Sequence, residues 1–167
     1  MNPVHIHLIL NHVSILAAVF SVILLIVSFF RNNATVRSIA LYGFVLAALT
    51  VVPVFLTGEP AEESVEGIAG IAEATIEAHE ESAEISTWLI VALGVVSLGA
   101  LTVGRKLIES TRTITLSILV LSFIASASIG YTGYLGGKIR HTELGTTGTN
   151  APAQNGFTAP ENDGDDD

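Results

Sequence analysis

Cysteine is absent from all 167 residues, which removes disulfides, thiolate metal sites, iron–sulfur clusters and cysteine nucleophiles together. Positive charge is scarce as well: seven Lys and Arg stand against sixteen Asp and Glu, a formal charge of −9. Phosphate backbones are held by clustered bases, so nucleic acid is excluded as a partner. Charged residues of both signs make up only 14% of the chain, where a soluble domain carries about a quarter. Apolar residues take their place, at 50% of the chain with a mean hydropathy of +0.61. The length allows one domain.

The apolar residues are concentrated in runs. About 20 residues at 1.5 Å each cross a hydrocarbon layer, so an uncharged run of that order reads as a membrane helix. Four runs qualify: Leu8 to Phe30, Ile39 to Thr57 with Pro53 near its far end, Trp88 to Gly104, and Ile114 to Gly137. The connections at 31–38 and 105–113 are short, which makes sequence neighbours antiparallel. The expected fold is therefore all-α, an integral membrane up-and-down four-helix bundle over residues 1–144. An amphipathic, acidic helical segment at 58–87 lies between the second and third spans. Within it, Glu59 before Pro60 fits an N-cap with proline at the first helical position, and the stretch before Trp88 continues the third span backwards.

Bases fix orientation, because Lys and Arg are retained on the cytoplasmic side. Arg31 and Arg37 lie in the first loop and Arg105, Lys106 and Arg112 in the third. Both termini and the second loop are thus expected outside the cytoplasm, in a bacterial inner membrane. Trp88, Tyr131 and Tyr134 fall at the outer helix ends, where amphipathic rings settle. The first run lacks a basic segment before it and is too long for a cleaved leader. Residues 145–167 are mostly Gly, Thr, Asn, Ala, Pro and Asp, an acidic composition expected to stay disordered.

Polar groups in such a chain carry the information. All five histidines fall on the expected outer side: His5, His7 and His12 open the first span, His79 precedes the third, and His141 follows the fourth. The second loop adds Glu59, Glu62, Glu63, Glu66, Glu73, Glu77, Glu80, Glu81 and Glu84. His12 lies inside the apolar run beside Asn11 and needs a partner or ligand there. His7, Asn11, Ser14, Ala18 and Ser21 share one helical stripe, while His5 and His12 share a neighbouring one. The pattern leaves open which of the three histidines points inward. Val65, Ile68, Ala72, Ile76, His79 and Ala83 follow steps of three and four, which turns His79 toward protein. Ser122, Ser126, Gly130, Gly133 and Gly137 make a small-residue stripe expected to meet another helix closely; room for a flat macrocycle is the alternative use.

Several chemistries fail on inspection. The His79-Glu80-Glu81-Ser82-Ala83 stretch has Ala where a zincin helix needs its second His. A ferritin-like di-iron site wants Glu three residues before His, and Ile76 holds that place. No phosphate loop, serine elbow or intramembrane acidic pair occurs, so an electron carrier or binding protein is expected in preference to an enzyme. Histidine is the usual axial ligand of b-type haem, and a four-helix bundle builds cofactor sites between facing helices. His12 and His79, on helices expected to be diagonal, form the first candidate pair for haem b; His141 can replace either, and Lys138 and Arg140 can hold the propionates. Non-haem Zn, Cu or Fe on His12, His79, His141, Glu59 and Glu63, with His7 as a further option, is the second reading. A structural or assembly subunit of a membrane complex is the third.

The segments Asn11-His12, Leu56-Thr57-Gly58-Glu59-Pro60-Ala61-Glu62-Glu63, His79-Glu80-Glu81 and Gly136-Gly137-Lys138-Ile139-Arg140-His141-Thr142-Glu143 resemble a family of small uncharacterised bacterial four-helix integral membrane proteins. Its members often open with a His-Phe-Pro-type motif, where Val13 and Ser14 stand here. The resemblance covers residues 5–143. It implies a respiratory or haem-linked role, with electron transfer to other respiratory membrane subunits or a periplasmic electron carrier.

Overall fold

Long uncharged stretches of Leu, Ile, Val, Ala and Phe can satisfy their backbone only within themselves where water is excluded, and the helix is the local way to do it. The computed structural model describes residues 3–62, 73–103 and 111–140, and all of its regular elements are helices: α1 (Pro3–Arg31), α2 (Ala34–Leu56), the short α3 (Gly58–Glu62), α4 (Glu73–Val103) and α5 (Thr111–Arg140). Four of them are long and apolar enough to cross a membrane. The third apolar run is the second half of one continuous helix that begins at Glu73. Helix α3 starts at Gly58, one residue before the expected cap. The segment 63–72 and the tail from residue 141 lie outside the described residues.

The α1–α2 turn is built by two asparagines. Asn32 takes a φ of 48°, a left-handed conformation that Asn tolerates better than other side chains. Asn33 then caps α2, its side-chain oxygen accepting from the Val36 N–H at 3.1 Å, and Ser28 Oγ donates to the Asn33 carbonyl at 3.2 Å. Each half of the sequence Asn32-Asn33 thus has a separate task.

Helix α1 packs on α2, α2 on α4 and α4 on α5, and a lighter α1–α5 contact closes the ring. No comparable contact joins α1 to α4 or α2 to α5 among the described residues, so α1 and α4 face each other across it. Each helix turns a stripe with steps of three and four inward: Ser14, Ala18, Ser21, Leu25 and Ser28 on α1; Ala40, Phe44, Ala47, Val51 and Val54 on α2; Ser86, Ile90, Leu93 and Ser97 on α4; Thr115, Ile118, Ser122 and Ala125 on α5. A mean step of 3.5 keeps one seam facing its neighbour along a whole helix. The seam is notably polar. Its eight buried Ser and Thr residues contrast with an outer surface carrying Phe30 at 80%, Leu49 at 68% and Trp88 at 66% exposure.

Two glycines let backbones meet. A Cβ on Gly43 would collide with Ser21 Oγ, and one on Gly94 would collide with Ala48 Cβ while standing 3.3 Å from the Phe44 carbonyl oxygen. These contacts hold α1 to α2 and α2 to α4 near Leu25, Phe44, Leu93 and Ile118, all fully buried.

Candidate histidine site

Two hydrogen bonds from α1 to carbonyls of α2 set the rotation of α1. Ser14 Oγ donates to the Ala47 carbonyl at 3.1 Å. One heptad before it, His7 Nδ1 donates to the Val54 carbonyl at 3.0 Å, with Thr57 Oγ1 at 3.3 Å. A carbonyl only accepts, so Nδ1 of His7 carries the proton. His7 is thereby committed to the end of α2, where Pro53 has already removed one helix donor. At about 100° per residue, five residues from His7 to His12 rotate the side chain by roughly 140°. His12 consequently faces away from α2. Its Nδ1 donates to the Leu8 carbonyl of its own helix at 2.6 Å. His5 is exposed.

His79 is held by α5. Its Nδ1 donates to the Thr132 carbonyl at 3.1 Å, and its ring lies so near Gly136 that a Cβ there would stand 3.1 Å from Cε1. Below it, a ladder of hydroxyls fastens α4 to α5: Ser82 to Thr132 at 2.6 Å, Ser86 to Ser128 at 2.7 Å and Ser86 to Thr132 at 2.9 Å. Ile76 is buried and Ala83 half-buried on the same face, as the spacing predicts.

Between these elements lies a cavity of about 530 Å³ to which all four long helices contribute. His12 and His79 both line it. Asn11 and Ser14 stand beside His12; Ser86, Thr87 and Ile90 continue the α4 wall, and Thr132, Gly133, Gly136 and Gly137 form the α5 wall. Val51 and Val54 close the side toward α2. Ligand chambers commonly run from about 300 to 1,000 Å³ and combine apolar walls with a few convergent polar groups. Both histidines place Nδ1–H on a backbone carbonyl, the kind of hydrogen bond that orients a ligating imidazole.

The other expected site residues fall elsewhere. His7 is a clamp on α2 and does not line the cavity. Glu59 is exposed. Lys138 sits with Nζ 4.8 Å from the Tyr134 ring centroid and is not part of the cavity wall. The side chain of Arg140, and residues Glu63 and His141, lie outside the described residues. Among the described residues no three His, Asp or Glu groups gather as a metal-ion site. The glycines of the small-residue stripe on α5 do not make the expected close helix contact, since a Cβ on Gly130, Gly133 or Gly137 would meet nothing within 4 Å, whereas Ser122 at its other end is fully buried. Gly133 and Gly137 border the cavity instead. Thr132 and the Ser82, Ser86 and Ser128 ladder went unread in the sequence, although paired hydroxyls four residues apart on two successive spans were the signal for it.

Protein-family models, curated proteins and solved structures give no match to this chain, and the resemblance to the bacterial family rests on the quoted motifs alone.

Proposed function

We propose that the protein is an integral membrane up-and-down four-helix bundle that binds one b-type haem between His12 and His79 and carries electrons in a bacterial inner membrane. Four long apolar helices with a polar interior and an apolar exterior support insertion, and the basic loops support extracytoplasmic termini. The observation that carries the haem reading is the placement of two imidazoles, from helices that do not pack on each other, on the walls of one cavity. Bis-histidine ligation asks for two neutral Nε2 atoms on opposite sides of a flat space. On the α5 side Gly133 and Gly137 leave open space beside the cavity. When bound, haem would supply a reversible one-electron couple; the chain would supply the ligands, orient them through the Leu8 and Thr132 carbonyls, and line the rest of the wall with aliphatic side chains such as Ile15, Val51 and Ile90 beside the hydroxyls of Ser14, Ser86 and Thr87.

The non-haem metal reading finds no grouped ligand set among the described residues. An optical spectrum of the full chain purified with added haem tests the proposal. A Soret band that shifts on reduction is expected, and His12→Ala and His79→Ala should each abolish the low-spin spectrum while His5→Ala leaves it unchanged. A Soret band untouched by both variants would falsify the assignment.

A further inference from the structure

Hydrogen bonds divide the four long helices into two pairs. His7 and Ser14 tie α1 to the Val54 and Ala47 carbonyls of α2. On the other side, His79, Ser82 and Ser86 tie α4 to Thr132 and Ser128 of α5. Around the cavity, among the described residues, no hydrogen bond between long helices crosses from one pair to the other. A hydrogen bond is directional and fixes rotation and register, whereas apolar packing is non-directional and lets packed helices slide or tilt. Each pair is therefore stiff, and the junction between the pairs is compliant.

That junction is uneven along its length. Helix α2 meets α4 closely where Gly94 faces Ala48 and the Phe44 carbonyl, and Arg112 of α5 lies 5.1 Å from the Phe29 ring centroid of α1. Toward the α1–α2 turn, then, both seams between the pairs are pinned. Toward the histidines, α1 and α5 are the most lightly joined neighbours of the ring and flank the cavity. His12 stands on one pair and His79 on the other, so the angle between the pairs sets their separation. We propose that α1–α2 and α4–α5 move as two rigid bodies, pivoting on the α2–α4 contact and widening or narrowing the cavity along the α1–α5 seam. Any molecule that touches both histidines locks the pairs at one angle.

The chain has no cysteine, so spin labels can be placed on introduced cysteines alone. Ile9, Val52, Ile85 and Tyr131 are exposed, one on each long helix, and each adjoins a residue that lines the cavity. Distances are measured by double electron–electron resonance on the full chain in detergent micelles with no ligand added. The Ile9→Cys/Tyr131→Cys distribution should be at least twice as wide as those of Ile9→Cys/Val52→Cys and Ile85→Cys/Tyr131→Cys, which lie within pairs. Val27→Cys/Leu116→Cys, exposed positions that span the two pairs on the other side of the pivot, should be as narrow as the within-pair sets. Adding Ser86→Ala, which cuts two α4–α5 links, should widen the Ile85–Tyr131 distribution and leave Ile9–Val52 unchanged. Circular dichroism of each labelled protein verifies its helix content. An Ile9–Tyr131 distribution no wider than the within-pair ones overturns the motion, and a Val27–Leu116 distribution as wide as Ile9–Tyr131 overturns the pivot. An Ile85–Tyr131 width that Ser86→Ala does not move overturns the hydrogen-bonded pair as the rigid unit.

Discussion

The two ends of the molecule use the same residue types for opposite purposes. Toward the α1–α2 turn, Gly43 and Gly94 bring helix backbones together, and Leu25, Phe44 and Ile118 fill the space completely. Arg112 lies 5.1 Å from the Phe29 ring centroid and finishes that end with a cation–π contact. Toward the histidines, Gly133 and Gly137 border empty space, and the interior opens into the cavity. A glycine in a long apolar helix thus says only that a side chain is missing. Whether a neighbour or a ligand uses the room depends on the helix opposite. Serine divides likewise: Ser14 ties α1 to α2, and Ser86 ties α4 to α5, whereas Ser97, fully buried, is the one buried side-chain polar group without a hydrogen-bond partner among the described residues.

Breaking the closed end should cost most. Gly94→Ala places a methyl group against Ala48 and the Phe44 carbonyl, neither of which can swing aside. Overpacking of this kind costs about 1–3 kcal/mol, readable as an earlier transition in detergent-mediated unfolding. Gly43→Ala should be milder, since the obstructing Ser21 hydroxyl is the tip of a side chain. Ser86→Ala comes next. It removes two links of the α4–α5 ladder, and cross-helix hydrogen bonds in membranes are worth about 0.6–1.7 kcal/mol. On the proposed haem site the same variant should also shift the Soret spectrum, because Ser86 borders the cavity. An unfolding loss with an unaltered spectrum would separate the ladder from the site. Ser97→Ala has the opposite sign: deleting an unpaired buried hydroxyl should raise stability by about 1 kcal/mol.

The helices were legible in the sequence because period and apolar length act locally. Ser14, Ala18 and Ser21 are inward as their spacing requires, and Ile76, His79 and Ala83 lie on the predicted protein-facing side. His12 was readable as a candidate because a bare imidazole is costly in an apolar run, and His79 because it falls on the apolar face of an otherwise acidic segment. The distinction between His7 and His12 was not. It depends on the Val54 and Ala47 carbonyls of α2, acceptors that every residue possesses and that no sequence pattern marks. The α5 glycines were misread for a related reason. Spacing shows that Gly130, Gly133 and Gly137 share a face, but whether another helix occupies that face is decided by the packing of α1 and α4.

Gly130→Ala sharpens the comparison with the smallest effect. Its position is helical and exposed, with no atom in the way of a methyl group. Glycine there carries only its backbone-entropy cost, so alanine should stabilise the bundle by about 0.5–1 kcal/mol. Gly94→Ala makes the same chemical change within the same fold and should move stability the other way. Paired unfolding measurements on the two variants therefore read the contents of the space beside each helix directly. If Gly130→Ala destabilises as much as Gly94→Ala does, a second surface occupies the α5 face beside Gly130.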